Sequence, residues 1–460
     1  MASPKLIAEA SSSRWSKTVA WLILGYLCMS RSFSYLGIPQ WHLFVGEIVL
    51  AYFLLYGPKT AGKRWPWVAM KDPRVKRLKR LFVVLFLFGV FQVFRGIIEG
   101  QPPLTAARDL AFNYYPLYLF LGMWAGMRST RFLPNLLRVL AWFNGLYGLA
   151  FILFLNNIDW TIPGVSSEVS EVRFFGQPLA SAIVLVALLA VEKDFRSVWH
   201  VFLLNFFVLL GMQIRGEWLA FGIALLLWAW MGKHLKRLAV AGAYLMLVLG
   251  LMYAVDLKLP GPESRGGGAI SARALVGRAL APINVDVAAE YTSDYENAEL
   301  TTIWRTIWWA RIWVLVHETT TRALLGFGYG FPLGDVVPYL EGQFIRTPHN
   351  FFFYTLGYTG WLGVALFLAF QAELARLVWS VWKQTGQPFG VLFWMTSLIF
   401  AFFTAFFEAP YGAIPFYLII GCVIASGRKL STLQASDRLA LDILPAGGSL
   451  GGKISGLTPA

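Results

Sequence analysis

One histidine-asparagine pair, His349-Asn350, stands out because it follows Arg346 and is followed, after nine residues, by Gly360 and then Gly363. A histidine with an ordinary pKa accepts a proton near neutral pH, and an arginine stays charged and binds phosphate oxygens in a fork. Residues 346–350 therefore combine a candidate general base, His349, with a candidate anion-binding group, Arg346. The simpler alternative is a histidine that only makes a structural hydrogen bond.

Two further arginines lie close to apolar segments. Arg215 occupies a short turn between two of them, with no room for a solvated loop charge, so it either binds an anion near the membrane surface or pairs with Glu217. Arg173 comes shortly before another apolar segment, and a helix that starts at Pro178 would add backbone N–H donors beside its guanidinium. Both are candidate phosphate contacts, although Arg173 could equally be a surface charge.

A fourth arginine, Arg305, lies in the tryptophan-rich residues 304–313. It is a candidate anion-binding group, or it makes a cation–π contact with Trp308 or Trp309. Apolar residues recur at helical spacing through the same stretch, namely Ile303, Ile307, Ala310 and Val314. This spacing predicts a helix that either lies in the membrane interface or packs on a small core of its own loop.

The chain that must position these residues has 460 residues, of which 57% are hydrophobic and 14% are charged. A soluble domain carries about 25% charged residues. Apolar runs long enough to cross a bilayer recur from one end to the other, which excludes a disordered chain, a coiled coil and an ordinary soluble enzyme. Cys28 and Cys422 both lie in apolar runs, so neither is expected in an extracellular disulfide, and no Cys/His spacing indicates a metal site.

The apolar runs predict an all-α polytopic integral membrane protein with about twelve transmembrane helices. Their approximate bounds are 17–32, 39–56, 81–98, 110–127, 133–155, 176–192, 198–214, 216–231, 237–255, 349–372, 388–407 and 411–427. They divide the chain into a nine-helix membrane region (1–255), a large periplasmic loop with short helices (256–348), a three-helix membrane region (349–427) and a flexible cytoplasmic tail (428–460).

The distribution of charge orients these helices. If the N-terminus is cytoplasmic, 26 of the 39 Lys and Arg residues lie on cytoplasmic segments. The short segments of the opposite face hold only Arg31, Arg95, Arg108, Arg173 and Arg215. Basic residues accumulate on the cytoplasmic side of membrane proteins, so both termini are predicted to be cytoplasmic. Most of the net charge of +14 then reflects topology, which disfavours nucleic acid as a partner.

The His349-Asn350 pair with its following glycines resembles the signature of the O-antigen ligase and O-antigen polymerase superfamily. The Leu-Gly-Phe-Gly-Tyr-Gly segment 325–330 and the residues around Arg305 are similar to that family's large periplasmic loop, and Arg215-Gly216 and Arg173 with Gly176 are similar to other parts of it. Twelve spans, cytoplasmic termini and a long loop between spans nine and ten also resemble the ligase architecture, which is GT-C-like.

The resemblance implies a metal-independent, inverting glycosyltransferase of the bacterial inner membrane that needs no cofactor. Its donor would be a glycan on undecaprenyl diphosphate in the lipid bilayer, and its acceptor a sugar of the lipid A core at the periplasmic face. By the match of motifs, His349 would be the base, and Arg215 and Arg305 would stabilise the diphosphate. The substrate-binding residues would be Arg173, Arg346 and Asn350, with Asn350 able to orient the histidine.

Several alternatives remain open from the sequence. A polymerase that joins lipid-linked O-antigen or exopolysaccharide repeat units would use the same donor, and so would a ligase that modifies proteins. Glu217 or Asp335 could replace His349 as the base. A polysaccharide transporter or flippase is disfavoured, because the candidate charges cluster at one face and no second half of the chain repeats the first.

Overall fold

The computed structural model describes residues 14–38, 43–60, 73–129, 131–166, 171–192, 195–261, 269–281, 284–291, 295–337 and 347–443. These residues form a largely helical protein with three short antiparallel hairpins. Because an apolar helix satisfies its own backbone hydrogen bonds, this is the architecture that the apolar runs require in a bilayer.

The N-terminal part up to residue 261 contains α1 (Arg14–Ser34), α2 (Val45–Thr60), α3 (Pro73–Ile98), α4 (Pro103–Asp109), α5 (Ala111–Tyr114), α6 (Leu117–Arg128), α7 (Phe132–Leu153), α8 (Ser181–Val191), α9 (Trp199–Gly211), α10 (Arg215–Met231) and α11 (Leu235–Ala254). Two hairpins join these helices, β1 (Gly37–Ile38) with β2 (Leu43–Phe44) and β3 (Thr161–Ser166) with β4 (Glu171–Arg173). A further strand, β5 (Lys258–Pro260), follows α11.

The C-terminal part begins with β6 (Ala269–Ser271), which pairs with β5. Its helices are α12 (Ala272–Leu280), α13 (Val285–Ala289), α14 (Tyr295–Val316), α15 (Thr320–Leu325), α16 (Phe351–Thr385), α17 (Phe389–Ala401) and α18 (Pro410–Ile443). The segment between α11 and α16 therefore carries both short helices and one long one, α14.

Each of the twelve predicted spans overlaps a helix of the described residues, although several bounds differ and residues 39–42 of the second span lie outside those described. The described residues include four helices long and apolar enough to cross a membrane, at Val75–Ile98, Phe132–Leu153, Phe351–Thr385 and Pro410–Gly427, and shorter apolar helices accompany them. The span predicted at 110–127 is divided into α5 and α6 just before Pro116, whose ring cannot continue a regular helix.

α18 lies at the centre of the bundle, with most of its apolar segment buried. It packs so closely on α6 that a Cβ atom added at Gly122 would overlap the Leu418 carbonyl, and one at Gly421 would overlap the Leu119 carbonyl. Small residues at such contacts let two helix backbones approach in a membrane protein. The helix also continues to Ile443, beyond the predicted end at 427, because residues 428–443 contain no Gly or Pro and many good helix formers.

α16 is kinked at Gly360, whose φ of 63° and ψ of −168° are not helical. The kink frees the carbonyls of Gly357 and Tyr358, which accept hydrogen bonds from the N–H groups of Phe327 and Gly328 at 2.7 and 3.0 Å. A Cβ atom at Gly360 would overlap the Leu324 carbonyl at the end of α15. Gly360 therefore allows the 325–330 segment to pack directly against the backbone of α16.

The 325–330 segment is held from its other side by α3. Arg95 donates hydrogen bonds to the carbonyls of Leu325 and Gly326, and Gln92 Nε2 donates to the Leu325 carbonyl at 3.0 Å. Farther along, the Gly330 N–H donates to Asp109 Oδ2 at 2.8 Å. The segment is thus a buried link between α16, α3 and α4.

We predict that Gly360→Ala destabilises the protein by roughly 2–4 kcal/mol, because an alanine is strained at the left-handed φ and its Cβ overlaps the α15 backbone. Gly222→Ala in α10 is the matched control, since nothing lies within 4 Å of an added Cβ there. Thermal unfolding in detergent, followed by circular dichroism, measures the difference. Equal melting temperatures for the two variants would contradict the proposed role of the kink.

Candidate functional site

The helix α14 carries Trp308 into the protein and its predicted apolar stripe away from it. Trp308 and Ile312 are fully buried, whereas Ile303, Ile307 and Val314 are 43%, 46% and 54% exposed. The alternative in which this stripe packs on a core of its own loop is therefore wrong. The exposed face instead fits a helix at the membrane interface.

Two tryptophans of α14 position His349. Trp309 Nε1 donates a hydrogen bond to the Pro348 carbonyl at 2.7 Å, and the Trp304 ring lies edge-on to the imidazole, with 5.8 Å between ring centroids. His349 has a φ of 53°, which only a minority of residues other than glycine adopt. Backbone conformations of this kind persist where the surrounding structure enforces them, and they cluster at functional sites.

Asn350 has a structural role that the sequence interpretation missed. The helix α16 begins at Phe351, after Asn350, and the Asn350 Oδ1 accepts hydrogen bonds from the N–H groups of Phe352 and Phe353 at 2.9 and 3.3 Å. This is the geometry of a helix N-cap, which satisfies backbone donors that have no partner within the helix. Asn350 is 4% exposed, and its side-chain oxygen is directed at the α16 backbone.

Arg305 lies on α14, and Arg215 contacts the same helix one turn earlier. Arg305 Nη1 donates to the Phe403 carbonyl at 3.0 Å, and its guanidinium lies 5.4 Å from the Trp304 ring centre. The cation–π partner is thus Trp304, not Trp308 or Trp309. Arg215, the first residue of α10, donates from Nη2 to Thr302 Oγ1 at 3.4 Å, one helical turn before Arg305. The structure therefore brings His349, Arg305 and Arg215 together.

The electrostatics of His349 depend on these neighbours. Burial, then the positive charge of Arg305 and then that of Arg31, lower the pKa of His349 to about 3. The imidazole is therefore neutral at physiological pH and able to accept a proton. Arg31 was visible in the sequence as one of the few basic residues of the outer face, but nothing in its local sequence linked it to His349.

Arg173 is engaged elsewhere. Its guanidinium forms an ion pair with Asp159 at 2.9 Å and donates to the Asn156 carbonyl at 2.8 Å, and its side chain is half-exposed. The expected helix start at Pro178 is wrong, since α8 begins at Ser181. The chain before α8 is not helical, because it packs across α1 and α7. Arg346 lies outside the residues that the structure describes.

The two carboxylates that could replace His349 as the base, Glu217 and Asp335, differ in how exposed they are. Glu217, in the first turn of α10, is 1% exposed and borders a cavity of about 10 Å³ beside Thr396 and Ser397, whereas Asp335 is exposed in a short 3₁₀ helix. A volume of this size holds about one water molecule.

Glu408 is an acidic group that sequence reasoning missed. It lies on the 402–409 loop, which also supplies the carbonyl that Arg305 contacts. Burial raises the pKa of its carboxyl group to about 7, against the opposing effect of backbone N–H donors such as Phe406. Its only signal in the sequence is a carboxylate between Phe407 and Ala409, directly before an apolar run, where a charge is costly.

One family resembles the part of the chain that carries this arrangement. Residues 200–368 match the family described as O-antigen ligase, Wzy_C. This part of the chain is similar to an O-antigen ligase domain. No protein with a curated description matches the chain.

The matched residues include Arg215, Arg305 and His349. This match has the following implications. It supports the superfamily of O-antigen ligases and polymerases, which implies a glycosyltransferase-like membrane enzyme that acts on lipid-linked glycans. Together with the apolar helices, it indicates a bacterial membrane protein. Arg31 and Arg173 lie outside the matched residues.

We predict that Asn350→Ala lowers the stability of the protein by about 1 kcal/mol through loss of the N-cap, whereas Asn350→Ser retains most of it. Thermal unfolding of both variants measures this difference. Activity measured on the stable Asn350→Ser variant then separates capping from substrate binding. Near-normal turnover assigns Asn350 to the helix, while a large loss in a stable protein would contradict a purely capping role.

Proposed function

We propose that the protein is a ligase that transfers a preassembled glycan from undecaprenyl diphosphate to an acceptor sugar of the lipid A core at the periplasmic face. The observation that supports this function best is the placement of His349 against Trp304, beside Arg305 and one helical turn from the residue that Arg215 contacts. The site thus offers a neutral proton acceptor next to guanidiniums, which is what a hydroxyl nucleophile and a diphosphate leaving group require.

The reaction we propose is a single displacement. The hydroxyl oxygen of the acceptor attacks the anomeric carbon of the donor glycan, and the bond from that carbon to the diphosphate oxygen breaks with its electron pair going to the diphosphate. His349 accepts the hydroxyl proton. Attack opposite to the leaving group inverts the anomeric configuration. Arg305 and Arg215 stabilise the charge that develops on the diphosphate, a task for which guanidiniums suffice without a metal ion.

The same arginines link donor binding to the basicity of His349. In the free protein, positive charge beside the imidazole contributes to its low pKa, which makes it a weak base. A bound diphosphate brings negative charge to the same place and opposes that effect. Donor binding therefore raises the proton affinity of His349 and prepares it to act on the acceptor hydroxyl.

The remaining parts of the proposal concern placement in the membrane. We place both termini in the cytoplasm, residues 256–348 and the site at the periplasmic face of the inner membrane, and residues 428–460 in a cytoplasmic tail. Arg346 and Arg173 are assigned as weaker contacts to the donor. A polymerase would use the same donor site with a lipid-linked repeat unit as acceptor, so the choice of acceptor in the assay separates the two activities.

We predict that the purified protein releases undecaprenyl diphosphate from a lipid-linked glycan when lipid A core is supplied, also in the presence of a metal chelator. His349→Ala and Arg215→Ala should each lower the turnover number about 10²–10³-fold, because each removes a group that acts in the transition state. His317→Ala is the matched control, since that exposed histidine contacts Trp313 and Trp361 instead.

Each outcome of this assay bears on a different part of the proposal. Full turnover by His349→Ala would contradict its role as the base, and Glu408→Gln would then be the next variant to measure. Activity that is lost with chelator and restored by a divalent metal would contradict the metal-independent mechanism. Turnover with a lipid-linked repeat unit but not with lipid A core would identify a polymerase.

We predict different pH dependences for kcat/KM and kcat. The base acts only when it is deprotonated, so activity falls as the pH drops through the pKa of His349. In the free protein that pKa is about 3, so kcat/KM for the lipid-linked donor should show no loss attributable to His349 near pH 6. The kcat profile reports the donor-bound protein, and its acid limb should lie at higher pH. Coincident acid limbs would contradict the proposed effect of the diphosphate.

A further inference from the structure

A groove with a volume of about 490 Å³ opens on the surface of α16, near the end of the helix that lies opposite to His349. It is lined by Ala375, Arg376, Trp379 and Ser380. The side chains of Arg376 and Trp379 are both exposed, so a ligand in the groove reaches a guanidinium and an indole ring. The proposed glycosyl transfer uses none of these four residues.

Two guanidiniums from different helices meet at one carboxylate of this region. Arg376 Nη1 donates to Glu373 Oε2 at 3.2 Å, and Arg77 Nη1, from α3, forms an ion pair with the same oxygen at 3.6 Å. The Glu373 side chain is 1% exposed, whereas those of Arg77 and Arg376 are 62% and 65% exposed. The buried carboxylate thus holds two arginines close together and leaves most of each side chain accessible.

The charge around the groove is strongly positive. The ammonium of Lys383 lies 5.7 Å from the ring centre of Trp379 and adds a third cation. The two helix ends 73–80 and 373–385 together contain seven Lys or Arg residues and one acidic residue, Glu373. One carboxylate cannot neutralise this charge, so the groove attracts anions.

The surface next to the groove is apolar. Leu368 is exposed and lies eleven residues before Trp379, which is about three helical turns, so both project from the same side of α16. The neighbouring α3 exposes Leu87 and Phe94. Apolar surface of this kind suits the acyl chains of a bilayer. A ligand with a negative headgroup and acyl chains matches both the groove and this surface, whereas a soluble anion matches only the groove.

We propose that the groove binds the phosphate headgroup of an anionic phospholipid in the cytoplasmic leaflet. Arg376, Lys383 and Arg77 provide the donors, since guanidinium and ammonium groups form strong hydrogen bonds with phosphate oxygens. Basic pockets at the cytoplasmic side of membrane helices recognise such headgroups, and tryptophans accumulate at the same depth. The inference rests on the proposed cytoplasmic placement of the termini and is independent of the proposed reaction.

Titrations followed by native mass spectrometry test this proposal on the full-length protein in detergent. The two ligands are phosphatidylglycerol and phosphatidylcholine with identical acyl chains. We expect preferential binding of phosphatidylglycerol, weakened about fivefold by Lys383→Gln and about twentyfold by Lys383→Gln combined with Arg376→Gln. Arg131→Gln is the matched control, because it removes an exposed arginine of the same predicted face directly before α7, and it should change the affinity less than about twofold.

Each other outcome contradicts a defined part of the proposal. Lys383→Gln leaves both ion pairs of Glu373 in place, so a loss of affinity in this variant does not reflect a disrupted fold. Equal binding of the two lipids by the unaltered protein would overturn recognition of the anionic headgroup. Unchanged binding by the double variant, or an equal loss in Arg131→Gln, would overturn the location in the groove. Full displacement of the lipid by an equal concentration of glycerol phosphate would overturn the assignment to a lipid.

Discussion

Two backbone hydrogen bonds at the kink of α16 connect the parts on which the site depends. The kink at Gly360 releases the carbonyls of Gly357 and Tyr358, and the 325–330 segment supplies the N–H groups that satisfy them. Without such partners, buried carbonyls in a membrane protein would be costly. These two hydrogen bonds connect the 325–330 segment, and with it α15, to α16. The Arg95 side chain connects the same segment to α3. The helix whose N-terminus carries His349 is thereby locked to its neighbours.

The tryptophans of α14 connect these packed helices to the residues of the site. Trp308 is fully buried and donates to the Leu333 carbonyl at 2.7 Å, which fixes the helix, and Trp309 donates to the Pro348 carbonyl, which fixes the residue before His349. Trp304, one turn earlier, contacts both the imidazole and Arg305. Indole rings suit this task because they combine a large apolar surface with a single hydrogen-bond donor.

The charge of the site follows from its surroundings. Burial, and after it the positive charges of Arg305 and Arg31, lower the pKa of His349 and keep its imidazole neutral. Such an assembly of like charges is unfavourable on its own, and it becomes favourable when an anion neutralises it. A lipid diphosphate fits this requirement, because it brings several negative oxygens to the membrane surface where these arginines lie. The neutral histidine then gains basicity when the anion is present.

The sequence by itself determined the largely helical, apolar character of the chain and its resemblance to the ligase and polymerase superfamily, and it named His349, Arg215 and Arg305 as candidate site residues. Composition, apolar run length and motif spacing are local properties that a sequence displays directly. The tertiary structure decided which residues meet. Asn350 caps α16, Arg173 pairs with Asp159, the charge of Arg31 acts on His349, and Glu408 lies on the loop whose Phe403 carbonyl accepts from Arg305. None of these follows from spacing along the chain, because each depends on a kink, a helix start or a loop that only packing between distant segments defines.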